Sequence, residues 1–269
     1  MVDRRVLSSR CDAVDISGIR RVFELGATLE NPINLSIGQP DFPVPDGVKR
    51  AAIEAIENDR NGYTLTSGLP ALVRRCRQRL EEDLGWPAED DGIGLLVTSG
   101  TSGALYLLNM ALMEPGAEMI IPDPYFVAYP HMSTVCGGTA VRCDTYPDFR
   151  MTAERVEPLI NEKTRAVLLN SPGNPTGVVL SEDEVHDLAT LCADRGVLLM
   201  TDEIYDEFVY SESTDGEGAC PSPGRARAAW ESVCVIRGFG KTYGCTGWRM
   251  GYLAGPRWLT DEIAKFQQY

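Results

Sequence analysis

Short, almost uninterrupted apolar runs recur along this chain with helix-period segments between them, and that alternation limits the possible fold more than any other feature of the sequence. The runs lie at 94–98 (Gly-Leu-Leu-Val-Thr), 119–121, 166–170 (Ala-Val-Leu-Leu-Asn), 197–200, 233–236 and 252–254. A strand that is apolar on successive residues needs cover on both faces, and parallel strands joined by crossover helices receive it. Residues 104–113 read as one such helix. Another is opened by Ser181 and Glu184, spaced as a capping box, carries Val185, Leu188, Leu191 and Cys192 on one face, and stops at Gly196. The pattern predicts a three-layer α/β/α domain with a mainly parallel sheet.

Upstream of that repeat, residues 16–25 are apolar-periodic, 33–43 read as a strand entering a proline-bounded loop, and 48–56 and 69–80 read as helices around a turn at 61–64. Residues 211–224 are rich in Ser, Gly, Pro and acidic side chains and read as a surface loop. The chain has 269 residues and a formal net charge of −14, which gives no long-range attraction to nucleic acid or anionic membranes. Eight cysteines without a Cys-x-x-Cys pair, and only two histidines, offer no zinc-type spacing. With no apolar run of bilayer length, the sequence reads as a cytoplasmic protein with reduced thiols.

Chemistry concentrates at the ends of the apolar runs. Lys241 follows the run at 233–236 and is surrounded by Gly238, Gly240, Gly244 and Gly247, so it is placed on an irregular turn rather than a helix. A lysine among glycines and aromatic residues loses hydration, which lowers its pKa and frees the nucleophilic amine that Schiff-base chemistry requires. Gly240-Lys241-Thr242 also resembles the end of a P-loop, but the glycine that motif needs five residues earlier is Val235 here, and Gly244 and Gly247 break the helix that should follow. The loop 99–103 (Ser-Gly-Thr-Ser-Gly) precedes a helix and could cradle a phosphate with Gly100, Thr101 and Ser102. Phe126 in Pro-Asp-Pro-Tyr-Phe offers a flat apolar face, Asn174 sits in a proline-bounded turn, and Asp202 and Tyr205 end the run at 197–200, where open α/β sheets bind ligands.

The stretch 235–252, with Gly-Lys-Thr and Gly-Trp-Arg-Met-Gly, resembles the lysine motif of class I/II aminotransferases, the fold type I enzymes that use pyridoxal phosphate. The similarity runs from residue 16 to 269 in family order and implies the aspartate-aminotransferase-like large domain. It further implies that Lys241 carries the cofactor as a Schiff base and acts as general base, and that Arg249 holds the phosphate with Gly100, Thr101 and Ser102. In the same reading Phe126 stacks on the ring, Asn174 and Tyr205 contact its O3′, and Asp202 faces the pyridine nitrogen and keeps it protonated. Gly38 is implied to let backbone reach the carboxylate end of the substrate, with Asn174 beside it. Tyr63 is implied to reach the phosphate of a neighbouring subunit, which predicts a homodimer.

The chain departs from the pattern at Gly238 and Gly240, where relatives usually carry a polar residue. The expected reaction is transfer of an amino group between an L-amino acid and a 2-oxo acid; a lyase or decarboxylase on the same scaffold, or a cofactor-binding remnant without turnover, are the alternatives. The expected organisation is an N-terminal arm at 1–45, the cofactor-binding domain at 46–269, and a smaller C-terminal domain that the chain lacks. Residues 258–269 read as a helix that neither Gly nor Pro closes.

Overall fold

The computed structural model of the chain describes residues 6–15, 18–31, 33, 38–89, 92–214 and 218–269. The first two residues of the apolar-periodic piece at 16–25, and residues 34–37 of the strand and loop expected at 33–43, lie outside them. Helix α1 (Gly18–Gly26) is followed by α2 (Asp46–Glu57) and α3 (Pro70–Leu84), which carries proline in its first turn and ends on Gly85 in the left-handed conformation. From there strands and helices alternate: β1 (Ile93–Thr98), α4 (Gly100–Leu112), β2 (Glu118–Asp123), α5 (Ala128–Val135), β3 (Thr139–Asp144) and the short α6 (Ala153–Val156). They continue through β4 (Thr164–Asn170), α7 (Glu182–Asp194), β5 (Leu198–Asp202), β6 (Val233–Gly238), β7 (Gly251–Pro256) and α8 (Arg257–Gln267).

All seven strands form one sheet in the order β1-β7-β6-β5-β4-β2-β3. The five from β6 to β3 run parallel, and β7 is antiparallel to both of its neighbours. The apolar runs are covered on both faces, and alternate residues serve opposite layers. Val167, Leu169, Leu199, Val233 and Val235 pack with Leu80 and Leu84 of α3 and Val185, Leu188 and Cys192 of α7. Leu168, Met200, Cys234, Ile236 and Leu253 point the other way, onto Leu105 and Leu108 of α4 and Leu259 and Ile263 of α8.

The capping box of α7 is present with both of its hydrogen bonds. One local reading changes: residues 100–103 are not a free loop but the first turn of α4, with Gly100 left-handed at φ 70°. Three elements between 128 and 156 were not read in the sequence, and the edge strand β3 among them is only patchily buried. Among the described residues, no helix is long and apolar enough to cross a membrane.

Candidate active site

The carboxyl ends of β1, β2, β4, β5 and β6 lead into one cavity of about 530 Å³, within the range common for small-molecule sites. Ten of the eleven cofactor and substrate positions expected from the sequence line it: Gly38, Gly100, Thr101, Ser102, Phe126, Asn174, Asp202, Tyr205, Lys241 and Arg249. Tyr63 does not, and its ring is fully exposed.

Asp202 ends β5 with its carboxylate almost completely buried. Tyr129 donates its hydroxyl to Oδ2 at 2.9 Å, and the Ile204 backbone N–H reaches Oδ1 at 3.3 Å. Burial nevertheless dominates and pushes the Asp202 carboxyl up to about 6, against the lowering effect of those two donors. Among the described residues no cationic side chain pairs with it. Asn170, at the end of β4, donates to the Asp202 carbonyl at 2.8 Å and accepts from the Asn174 backbone N–H at 2.7 Å, so it joins the β4 and β5 ends. The Asn174 amide in turn donates to the Tyr205 hydroxyl at 3.4 Å.

Lys241 stands on the turn after β6, half-buried, with Nζ 5.5 Å from the Tyr205 ring centroid and donating to the Gly38 carbonyl. Loss of hydration lowers its pKa, and the Arg249 guanidinium lowers it further. Arg249 is left-handed (φ 54°) two residues before the start of β7, and its Nη1 donates to the Thr246 carbonyl at 2.9 Å. A β-carbon on Gly251 would lie 2.7 Å from the Gly100 carbonyl carbon, so glycine is what lets β7 begin against the start of α4. A β-carbon on Gly100 would likewise lie 2.7 Å from Arg249 Nη2. Ser99 makes no side-chain cap on α4, leaving first-turn N–H groups and the positive end of the helix beside that guanidinium.

This arrangement fits a flat ring that carries a phosphate at one end and a basic nitrogen elsewhere. The uncapped helix end with Arg249 suits the anion, the buried Asp202 lacks a cation, and Lys241 supplies an amine between them. Sequence reasoning missed Tyr129 and Asn170. Tyr129 lies three residues beyond Phe126 and packs edge-on against it at 5.5 Å. Asn170 was visible as the polar residue closing an apolar strand at its ligand-facing end.

Residues 30–269 match the protein family described as aminotransferase class I and II. The aspartate aminotransferase of Pyrococcus abyssi is 32% identical over 98% of this chain and 67% of its own length. The aromatic-amino-acid aminotransferase 2 of Thermococcus litoralis is 32% identical with the same coverage. Among solved structures, aspartate aminotransferase from Thermus thermophilus with maleate superimposes with a TM-score of 0.87 at 33% identity, covering 97% of this chain and 68% of that one. The chain spans about two thirds of the length of the relatives it matches.

Proposed function

Since this chain belongs to the class I and II aminotransferases, we propose that it binds pyridoxal phosphate through Lys241 and moves an amino group from an L-amino acid to a 2-oxo acid. The observation that carries this reading is one cavity holding a half-buried lysine, a buried aspartate without a cation and an arginine beside an uncapped helix end. Gly100, Thr101, Ser102 and Arg249 would hold the phosphate, Phe126 would cover the ring, and Asn174 and Tyr205 would hold its phenolic oxygen. When bound there, pyridoxal phosphate supplies an electron-withdrawing ring and a carbon that accepts the amino group, carried covalently on Lys241.

The rest is the work of this chain. Asp202, ionised near neutral pH and, among the described residues, the one acidic side chain lining the cavity, would hold a proton on the ring nitrogen. Freed when the substrate's own amine takes its place on the cofactor, Lys241 Nζ, with its pKa lowered, would take the proton from the substrate α-carbon and deliver it to the cofactor carbon that accepts the amino group. Gly38 lets the backbone pass close to the carboxylate end of the substrate. A cytoplasmic homodimer follows from the same reading: Tyr63, Leu65 and Leu69 are exposed, as are Ile53 and Ile56 of α2, and Tyr63 would then complete the phosphate site of a partner subunit.

Absorbance spectroscopy of the purified chain, borohydride reduction and peptide mapping test the assignment. Label on Lys241 is the expected result, and label on another lysine would overturn it. Formation of a new amino acid from a supplied 2-oxo acid is the expected reaction; release of carbon dioxide or ammonia in its place would refute transamination.

A further inference from the structure

Behind the cavity wall lies a buried ionic cluster that the proposed reaction does not use. Its centre is Arg237, the fifth residue of β6, whose side chain is 6% exposed and does not reach the cavity. Arg237 Nε donates to Glu203 Oε2 at 2.9 Å and lies 3.4 Å from Asp206 Oδ2, while Nη1 donates to Asp83 Oδ2 of α3 at 2.7 Å. Glu203 is as deeply buried, and its other oxygen accepts from Ser222 at 2.5 Å and from Thr201 at 3.2 Å. Tyr252 of β7 is the cross-strand neighbour of Arg237.

The placement of the acidic partners is the informative part. Glu203 follows Asp202 and Asp206 follows Tyr205, so the segment 202–206 lines the cavity with Asp202, Ile204 and Tyr205 and turns Glu203 and Asp206 toward Arg237. Arg237 also lies four residues before Lys241 on the strand that delivers it. A buried ion cluster is a poor source of stability, because apolar replacements of similar volume often match or exceed it. As a geometric device it is effective: a planar guanidinium offers several donors in fixed directions and can orient two carboxylates at once. Without it, Glu203 and Asp206 would confront each other as buried like charges, and the burial of Asp206 already pushes its carboxyl up to about 6.

We propose that Arg237 is a positioning residue for the cavity: it clamps Glu203 and Asp206 so that Asp202 and Tyr205 face inward, and ties that turn to the strand bearing Lys241. The inference rests on the reading of the cavity given above. Groups that hold reacting atoms tolerate little misplacement, so loosening this turn should change cofactor binding more than it changes folding.

The test compares the full chain with R237K and with the charge-neutral triple variant R237M/E203Q/D206N, which leaves no buried charge unpaired at these three positions. Four quantities are read: the urea midpoint, the pyridoxal phosphate Kd by equilibrium dialysis, borohydride label on Lys241, and the pH midpoint of the visible absorbance of the bound cofactor. The triple variant should unfold at a urea concentration close to that of the unaltered chain. It should nonetheless bind pyridoxal phosphate at least about tenfold more weakly, which is about 1.4 kcal/mol, and shift the absorbance midpoint by about half a pH unit or more. R237K, which keeps the charge but not the fork, should fall between the two. Folded variants with unchanged affinity and midpoint would overturn the proposal, as would failure of both variants to fold, which would make Arg237 a residue of stability alone. If the unaltered chain itself carries no label on Lys241, the reading of the cavity fails instead, a result distinguishable from either.

Discussion

Replacing Asp202 by asparagine should make the cofactor-free chain more stable at neutral and higher pH while disabling the site. The carboxyl is almost wholly buried and is pushed up to about 6, about two pH units above an ordinary aspartate. In the unfolded chain it loses its proton near pH 4; in the folded chain it holds that proton until about pH 6. Its contribution to stability is therefore fully present below pH 4, is lost as pH rises to about 6, and is constant above that. At about 1.36 kcal/mol per pH unit, the loss amounts to about 3 kcal/mol.

Asparagine does not titrate, so about 3 kcal/mol is the upper bound on its advantage at pH 8. The amide matches the site less well. Asp202 accepts from both the Tyr129 hydroxyl and the Ile204 N–H, whereas an amide offers one acceptor and one donor group, and Tyr129 must rotate its hydroxyl to accept. A net gain of about 1–2 kcal/mol is expected. Urea unfolding of both cofactor-free chains at pH 4 and pH 8 measures it, and Asp206, unaltered in both, cancels from the comparison. Amino-group transfer by the variant should fall by much more than tenfold, since an amide cannot neutralise a protonated ring nitrogen. A variant no more stable than the original at pH 8, or a stability difference that does not change with pH, would refute the claim that burial governs Asp202.

Tyr129→Phe removes a hydrogen bond to a charged group without changing the shape of the ring, and such bonds contribute about 1.5–3 kcal/mol. The Asp202 carboxyl should rise by about one to two further pH units, read by carbon-13 NMR of labelled aspartate; an unmoved titration would dismiss the Tyr129 contact. Gly100→Ala should weaken pyridoxal phosphate binding by about tenfold or more, because its β-carbon would displace the Arg249 guanidinium from 2.7 Å away and a left-handed backbone disfavours alanine. Unchanged affinity in equilibrium dialysis would remove Gly100 and Arg249 from the phosphate site. Ser181→Ala breaks the capping box of α7, which does not line the cavity, and should cost about 1 kcal/mol in urea unfolding with cofactor affinity unaltered.

The sequence by itself determined the layers of this protein and named most of the residues that line its cavity. Burial on both faces leaves a strand few polar options, so the runs at 94–98, 166–170, 197–200 and 233–236 were legible as sheet interior. The ligand-facing ends of such strands carry the residues that apolar packing does not claim, and for that reason Asn174, Asp202 and Lys241 could be read before any coordinate was known. The elements between 128 and 156 escaped notice because β3 is an edge strand with few fully buried positions, and the apolar period that marks interior strands is weak there.

Only the tertiary structure decided which distant residues complete the site. Tyr129 meets Asp202 across 73 positions of sequence, and Gly38 meets Lys241 across 203. No local pattern encodes such pairings, because they follow from strand order and crossover, not from neighbouring residues. Structure also set the direction of the Asp202 shift, since burial and hydrogen bonding act on that carboxyl in opposite senses and the balance depends on how completely water is excluded. Arg237 shows the same limit most clearly. In sequence it is a charged residue closing an apolar strand, and only packing reveals that Asp83, Glu203 and Asp206 converge on it from two elements, because a buried guanidinium must find its acceptors wherever the fold brings them.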